Sequence, residues 1–183
     1  MNKALVIIPT YNEVENIQKI IELTLKVEDF NILVVDDSSP DGTIDVVKGL
    51  VENHPNRIFY VERKSKEGLG KAYIHGFNWA IENKYDFIFE MDADLSHDPK
   101  ELAPMLSYLR EDKDMVIGSR YIKGINVVNW PMSRILLSYL ASIYVRWTTF
   151  MPIKDPTAGF VGYRRTALEA LNLEKIKFVG YAF

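Results

Sequence analysis

The chain contains no cysteine. That excludes disulfides, thiolate zinc sites and cysteine nucleophiles, and it fits a reducing compartment. Positive charge is not in excess either: the formal net charge is −3. A broad basic field for nucleic acid is therefore not expected. No stretch reaches the ~20 apolar residues that a transmembrane helix needs. Met1-Asn2-Lys3 runs straight into an apolar strand, so no signal peptide is expected. Internal repeats and low-complexity linkers are also missing. What remains is ordinary globular composition, 48% hydrophobic and 26% charged over 183 residues. That is enough for one domain with a proper core.

Apolar runs alternate with helical patterns. Residues 4–8 (Ala-Leu-Val-Ile-Ile) form a continuous apolar run, the mark of a strand covered on both faces. Asn12 and Glu15 have capping-box spacing for a helix that carries Val14, Ile17, Ile20, Ile21 and Leu25 on one face. A second strand at 31–35 ends in Asp36-Asp37-Ser38-Ser39-Pro40-Asp41-Gly42-Thr43. Asp41 or Thr43 could cap the next helix, 44–51, and one of Asp36 and Asp37 is placed to bond ribose hydroxyls. A third strand, 57–61, leads to Gly68-Leu69-Gly70-Lys71 and a helix over 73–82. Lys71 at that helix start could hold a phosphate, although neither a Walker loop nor a dinucleotide fingerprint is present.

The stretch Phe87-Ile88-Phe89-Glu90-Met91-Asp92-Ala93-Asp94 reads as a buried strand ending in two carboxylates. Asp98 with Pro99 then signals a helix start, with Glu101 three residues after the cap. Hard divalent cations prefer carboxylate oxygen, and Mg²⁺ or Mn²⁺ usually shares its shell with substrate phosphates. The pair thus suggests a metal–diphosphate site. It also suits plain turn chemistry, because Asp is common in turns. An EF-hand is excluded, since His97 and Ala103 stand where glycine and glutamate are required. A fifth strand, 115–121, carries Arg120 at its exit. The order β-α-β-α-β-α-β-α-β implies an α/β fold with a mostly parallel central sheet and helices on both faces. Tyr11/Glu13, Asp36/Asp37/Asp41, Asp92/Asp94 and Arg120 should then share one rim.

The character changes after Lys123. Residues 124–130 read as loop, and 132–150 as an unusually apolar helix. Arg134, Ser138, Ala141, Ser142 and Thr149 make its narrow small-or-polar stripe. Such a helix suits burial against further protein, or contact with a membrane surface or lipid tail. Asp155-Pro156-Thr157-Ala158-Gly159-Phe160 is turn-rich, and Arg164-Arg165 reads as solvated surface. Residues 177–183 are apolar and end without a polar tail.

Six of these pieces, in order, resemble the family 2 glycosyltransferases, and more closely the dolichol- or polyprenol-phosphate mannose synthases. They are residues 6–13 (Val-Ile-Ile-Pro-Thr-Tyr-Asn-Glu), 35–43, 68–72, 91–97 (Met-Asp-Ala-Asp-Leu-Ser-His), 118–121 (Gly-Ser-Arg-Tyr) and 155–160. The resemblance implies a GT-A fold and one catalytic domain over 1–183, cut short at its C-terminus because the family typically continues beyond Phe183. It implies an inverting transfer of mannose from GDP-mannose to a polyprenyl phosphate, at the cytoplasmic face of a membrane, with Mg²⁺ or Mn²⁺. Pro9, Tyr11 and Glu13 then contact the nucleotide, with Asp37, Asp41 and Lys71. Asp92 and Asp94, with Ala93 between them and Ser96 beyond, form the metal–diphosphate motif. Arg120 and Arg134 meet the lipid phosphate, and no nucleic acid is involved. The rival reading keeps the family but takes UDP-glucose or another nucleotide sugar as donor, or a polysaccharide hydroxyl as acceptor. A hydroxyl acceptor needs a general base, for which Asp155 is the candidate.

Overall fold

The computed structural model describes residues 3–27, 30–121 and 132–176, apart from the side chains of Arg134 and Glu174. The expected loop at 124–130, the tail at 177–183 and the Arg134 side chain lie outside the described residues.

The apolar runs become strands because their side chains are covered on both faces. β1 (Ala4–Thr10) is buried at all seven positions, and β2 (Phe30–Asp36) at all but one. β3 (Ile58–Glu62) and β4 (Phe87–Glu90) complete a parallel set in which β1 pairs with both β2 and β4, and β2 with β3. β5 (Met115–Ile117) is shorter than the apolar pattern suggested. β6 (Val161–Arg164) inserts antiparallel between β4 and β5, giving the order β3-β2-β1-β4-β6-β5. Because β6 is antiparallel to both neighbours, β5 runs in the same direction as β1 to β4. The exits of β1, β2, β4 and β5 therefore do share one rim.

Alternate strand residues feed two cores. On one face Val6, Ile8, Ile32, Val34 and Phe89 meet α1 (Ile17–Leu25), α2 (Thr43–Asn53) and α4 (Leu102–Arg110). On the other, Leu5, Ile7, Leu33 and Ile88 meet α3 (Leu69–Glu82) and α6 (Arg165–Ala170). Each fully buried aliphatic side chain contributes roughly 1.5–3 kcal/mol. Gly76 lets α3 lie close on β1, since a Cβ there would come within 2.7 Å of the Ile7 side chain.

Three local expectations give way to tertiary contacts. The Asn12–Glu15 capping box does not form: Asn12 takes a left-handed φ of 61°, and its N–H donates to Ser39 Oγ at 3.0 Å. α1 then begins only at Ile17. α3 starts at Leu69, four residues before the expected Tyr73, because Gly68 at φ 100° turns the chain directly into the helix. Arg164 and Arg165 are not free surface. Arg164 reaches Asp112 and the Leu109 carbonyl, and Arg165 reaches Asp86. The Asp98 cap forms as its sequence indicates, its carboxylate accepting the Lys100 N–H at 3.0 Å. α5 (Met132–Thr149) follows the described part of the β5 exit.

Candidate active site

The turns that leave β1, β2 and β4 converge on a cleft of about 200 Å³. Pro9, Tyr11 and Glu13 line it from β1, Asp37 from β2, and Asp92, Ala93 and Asp94 from β4. Lys66, Gly68 and Leu69 close it from the loop after β3.

At one end Asp37 is nearly buried. Its Oδ1 accepts from Arg63 Nη1 at 2.6 Å and its Oδ2 from the Glu67 N–H at 3.2 Å. The Lys66 ammonium stands 3.7 Å from the centre of the Tyr11 ring, a cation–π contact. Neither Arg63 nor Lys66 stood out in the sequence, where they are two of several cations in a loop. Asp36 does not line the cleft; it accepts from Thr10 Oγ1 at 2.7 Å and Ser39 Oγ at 2.6 Å. Asp41 likewise serves the loops. It accepts from the Thr43 N–H at 3.0 Å and the Val14 N–H at 3.1 Å, tying the β1 exit to the start of α2. Lys71 pairs with Glu67 at 2.9 Å on the exposed face of α3, away from the cleft lining.

At the other end lie the two carboxylates. Asp92 is held from two sides: Tyr73 Oη donates to Oδ1 at 3.2 Å, and the Asp92 N–H donates to His97 Nδ1 at 3.2 Å. Burial, then the charge of Asp94, pushes the Asp92 carboxyl up to about 6. Burial pushes His97 down to about 4, so its ring is neutral and Nδ1 can accept. Asp94 is exposed and accepts the Ser96 N–H at 2.9 Å, with Leu95 at φ 63° making the turn. Among the described residues no lysine or arginine pairs with Asp92 or Asp94. A pair of hard-oxygen donors lining the same cleft suits a divalent cation that takes its remaining ligands from a diphosphate.

Arg120 stands further along the rim. Its Nε and Nη2 donate to the two oxygens of Asp155 at 2.9 and 2.6 Å, and Nη2 also reaches Thr157 Oγ1 at 2.7 Å. Burial alone would raise the Asp155 carboxyl, but the bonds from Arg120 outweigh it and hold the group below its ordinary value. A 1%-exposed, ionised and fully engaged carboxylate is a poor proton acceptor, so Asp155 does not suit the role of general base. From α5, Ser142 reaches Asp155 at 3.4 Å and Ser138 accepts from Tyr121 Oη at 2.8 Å.

Residues 5–171 match the family model described as glycosyl transferase family 2. The chain belongs to glycosyl transferase family 2. It is 44% identical over 182 residues to a polyprenol monophosphomannose synthase of Mycolicibacterium smegmatis, covering 99% of this chain and 69% of the relative. It is 43% identical to an undecaprenyl-phosphate mannosyltransferase of Micrococcus luteus, covering 99% of this chain and 74% of that protein. Among solved structures it resembles the mannosyltransferase PcManGT from Pyrobaculum calidifontis, determined with GDP-Man and Mn²⁺. The TM-score is 0.61 at 22% identity, over 93% of this chain and 46% of that one. The chain thus spans under half the length of that solved protein. The family 2 chain has the GT-A architecture expected of it, with its antiparallel β6 inside an otherwise parallel sheet.

Proposed function

We propose that this chain is a GT-A catalytic domain that transfers mannose, with inversion, from GDP-mannose to a polyprenyl phosphate at the cytoplasmic face of a membrane. The observation that carries this reading is the 44% identity to a polyprenol monophosphomannose synthase along 99% of the chain. The cleft supports it chemically. Pro9, Tyr11 and Glu13 with Asp37 would receive the nucleoside, and Asp92 and Asp94 with Ser96 would hold Mg²⁺ or Mn²⁺ against the diphosphate. Asp41 fixes the loop that bears Glu13, and Lys71 stands outside the cleft lining, paired with Glu67.

When bound, the cation acts as a Lewis acid that neutralises charge on the departing nucleoside diphosphate. The nucleophile is an acceptor phosphate oxygen, already ionised near neutral pH. It forms a bond to the anomeric carbon as the bond from that carbon to the diphosphate breaks, and GDP leaves. No proton has to be removed, which agrees with an Asp155 fully engaged by Arg120. Arg120 and Arg134 orient the acceptor phosphate and screen it from the donor, guanidinium being matched to phosphate geometry.

α5 supports the membrane part. Ser142, 2% exposed, and Ser138 face the protein, while large apolar side chains face out, with Leu137 71% and Trp147 74% exposed. Among the described residues no helix is long and apolar enough to cross a membrane. A helix lying at the surface beside the polyprenyl tail suits that pattern.

Calorimetry with GDP, GDP-mannose and UDP-glucose, each with and without Mn²⁺, tests the donor and the site. Expected is metal-dependent binding of the guanine nucleotides that Asp94→Asn abolishes. Transfer to polyprenyl phosphate should fall at least ~10²-fold in the same variant, the scale of losing one electrostatic stabiliser. Preference for UDP-glucose would reject mannose transfer, and full activity in Asp94→Asn would remove Asp94 from the site.

A further inference from the structure

We propose that the turn at 155–160 is a brace with two separable ends, one positioning Arg120 for the acceptor and the other positioning Asp92 for the donor. The inference rests on the functional reading above and adds positioning residues to it.

The first end is Asp155 and Thr157. Asp155 Oδ2 accepts from both the backbone N–H and the Nε of Arg120, at 3.0 and 2.9 Å, while Oδ1 takes Nη2 at 2.6 Å. Thr157 Oγ1 takes a second bond from Nη2. Main chain and guanidinium of Arg120 are thus held by one carboxylate, which fixes the direction of the fork. A buried ion pair adds little net stability over an apolar pair of the same volume. Its value here is geometric.

The second end is Gly159 and Phe160. The Phe160 ring lies parallel to that of His97, with centroids 4.9 Å apart and 11° between planes. His97 in turn accepts the Asp92 N–H. A Cβ on Gly159 would lie 3.6 Å from Asp92 Oδ2 and 3.9 Å from the His97 ring, so the backbone of the brace passes close to both. The Phe160 carbonyl accepts the Gly118 N–H at 2.8 Å, anchoring the brace to the chain just after β5. The Ala158 N–H bonds back to the Asp155 carbonyl at 3.3 Å, closing the turn between the ends. None of Asp155, Thr157, His97 and Phe160 lines the cleft. They act through Arg120, further along the rim, and through Asp92, which lines the cleft.

A merely structural turn would affect donor and acceptor together when damaged. Separate ends predict separate losses. Asp155→Asn risks unfolding, because it breaks a buried charge pair, so the milder Thr157→Val is the main acceptor-side variant. Loss of one hydrogen bond to a charged group should raise KM for polyprenyl phosphate about tenfold, with Mn²⁺-dependent GDP affinity within about twofold of wild type. His97→Phe keeps the ring against Phe160 but removes the acceptor for Asp92. It should weaken Mn²⁺-dependent GDP binding about fivefold in calorimetry and leave the acceptor KM within about twofold. His97→Asn, whose amide oxygen can stand in for Nδ1, should recover part of the binding. Parallel losses in both readouts from either variant, or no change from both, overturn the proposal while wild type still binds and transfers. A wild-type chain that binds no guanine nucleotide, or transfers nothing to the lipid, overturns the functional reading and this inference with it.

Discussion

Glu90 lies on β4 two residues before Asp92, 4% exposed, with Tyr163 Oη donating to it at 3.3 Å. Burial is the main reason its carboxyl is pushed up to about 8. Unfolded, the same group titrates near its ordinary value of 4.5. Between those two values the folded chain holds a proton that the unfolded chain has lost, so stability falls as pH rises through that window and stays low above it. Asp92 shifts in the same direction over the lower part of the range. Glu90→Gln keeps an oxygen for Tyr163 and removes the Glu90 contribution. Its melting temperature should therefore fall less than that of wild type between pH 5 and pH 9. Parallel curves for the two proteins would show that Glu90 is charged at neutral pH. The sequence marks Glu90 only as a lone polar residue in an apolar strand, because its protonation depends on what α3 and β6 place around it.

β6 is the element that periodicity did not reveal. Val161-Gly162-Tyr163-Arg164 is four residues long, includes a glycine and ends in charge, so nothing local distinguishes it from turn. It becomes a strand because β4 and β5 leave a gap of one strand between them. Gly162 fits that gap: a Cβ there would run into the Phe89 ring and fall 3.0 Å from Val116. Phe89 is itself fully buried and edge-on to Phe30 at 5.3 Å. Gly162→Ala should cost about 1–3 kcal/mol in urea unfolding, the range for overpacking. Gly49→Ala is the control, because nothing lies within 4 Å of that position on α2. Exchanging a helical glycine for alanine there should stabilise by about 0.5–1 kcal/mol. Equal effects from the two substitutions would mean that β4 and β6 are less closely packed than described.

At the scale of the whole molecule, the described candidate residues at the exits of β1, β2, β4 and β5 share one rim, and α5 sits beside it with two serines turned toward the protein. A helix on a water-soluble domain normally turns its apolar side inward. This one turns Ser138 and Ser142 inward and leaves Leu137, Leu140, Tyr144 and Trp147 outside. The proposed membrane contact predicts that Leu137→Ser with Trp147→Ser lowers co-sedimentation with phospholipid vesicles by roughly tenfold or more, given ~1.5–3 kcal/mol per buried apolar side chain. Thermal stability should be nearly unchanged, because both side chains are exposed in the described structure. Undiminished vesicle binding would detach α5 from the lipid.

Local properties of the sequence determined the β-α alternation, the Asp98 cap, and the carboxylates at the exits of β2 and β4. Each follows from side-chain spacing or from the residue that ends an apolar run. The tertiary structure decided which of those polar residues face the cleft and which serve the loops. Asp36 and Asp37 are neighbours, yet successive side chains diverge at a strand end, so one ties Thr10 to Ser39 and the other lines the cleft. Arg63 meets Asp37 across 26 residues, and Arg120 meets Asp155 across 35. Those pairs arise only once the sheet order brings distant loops together, and no spacing within a single segment encodes them.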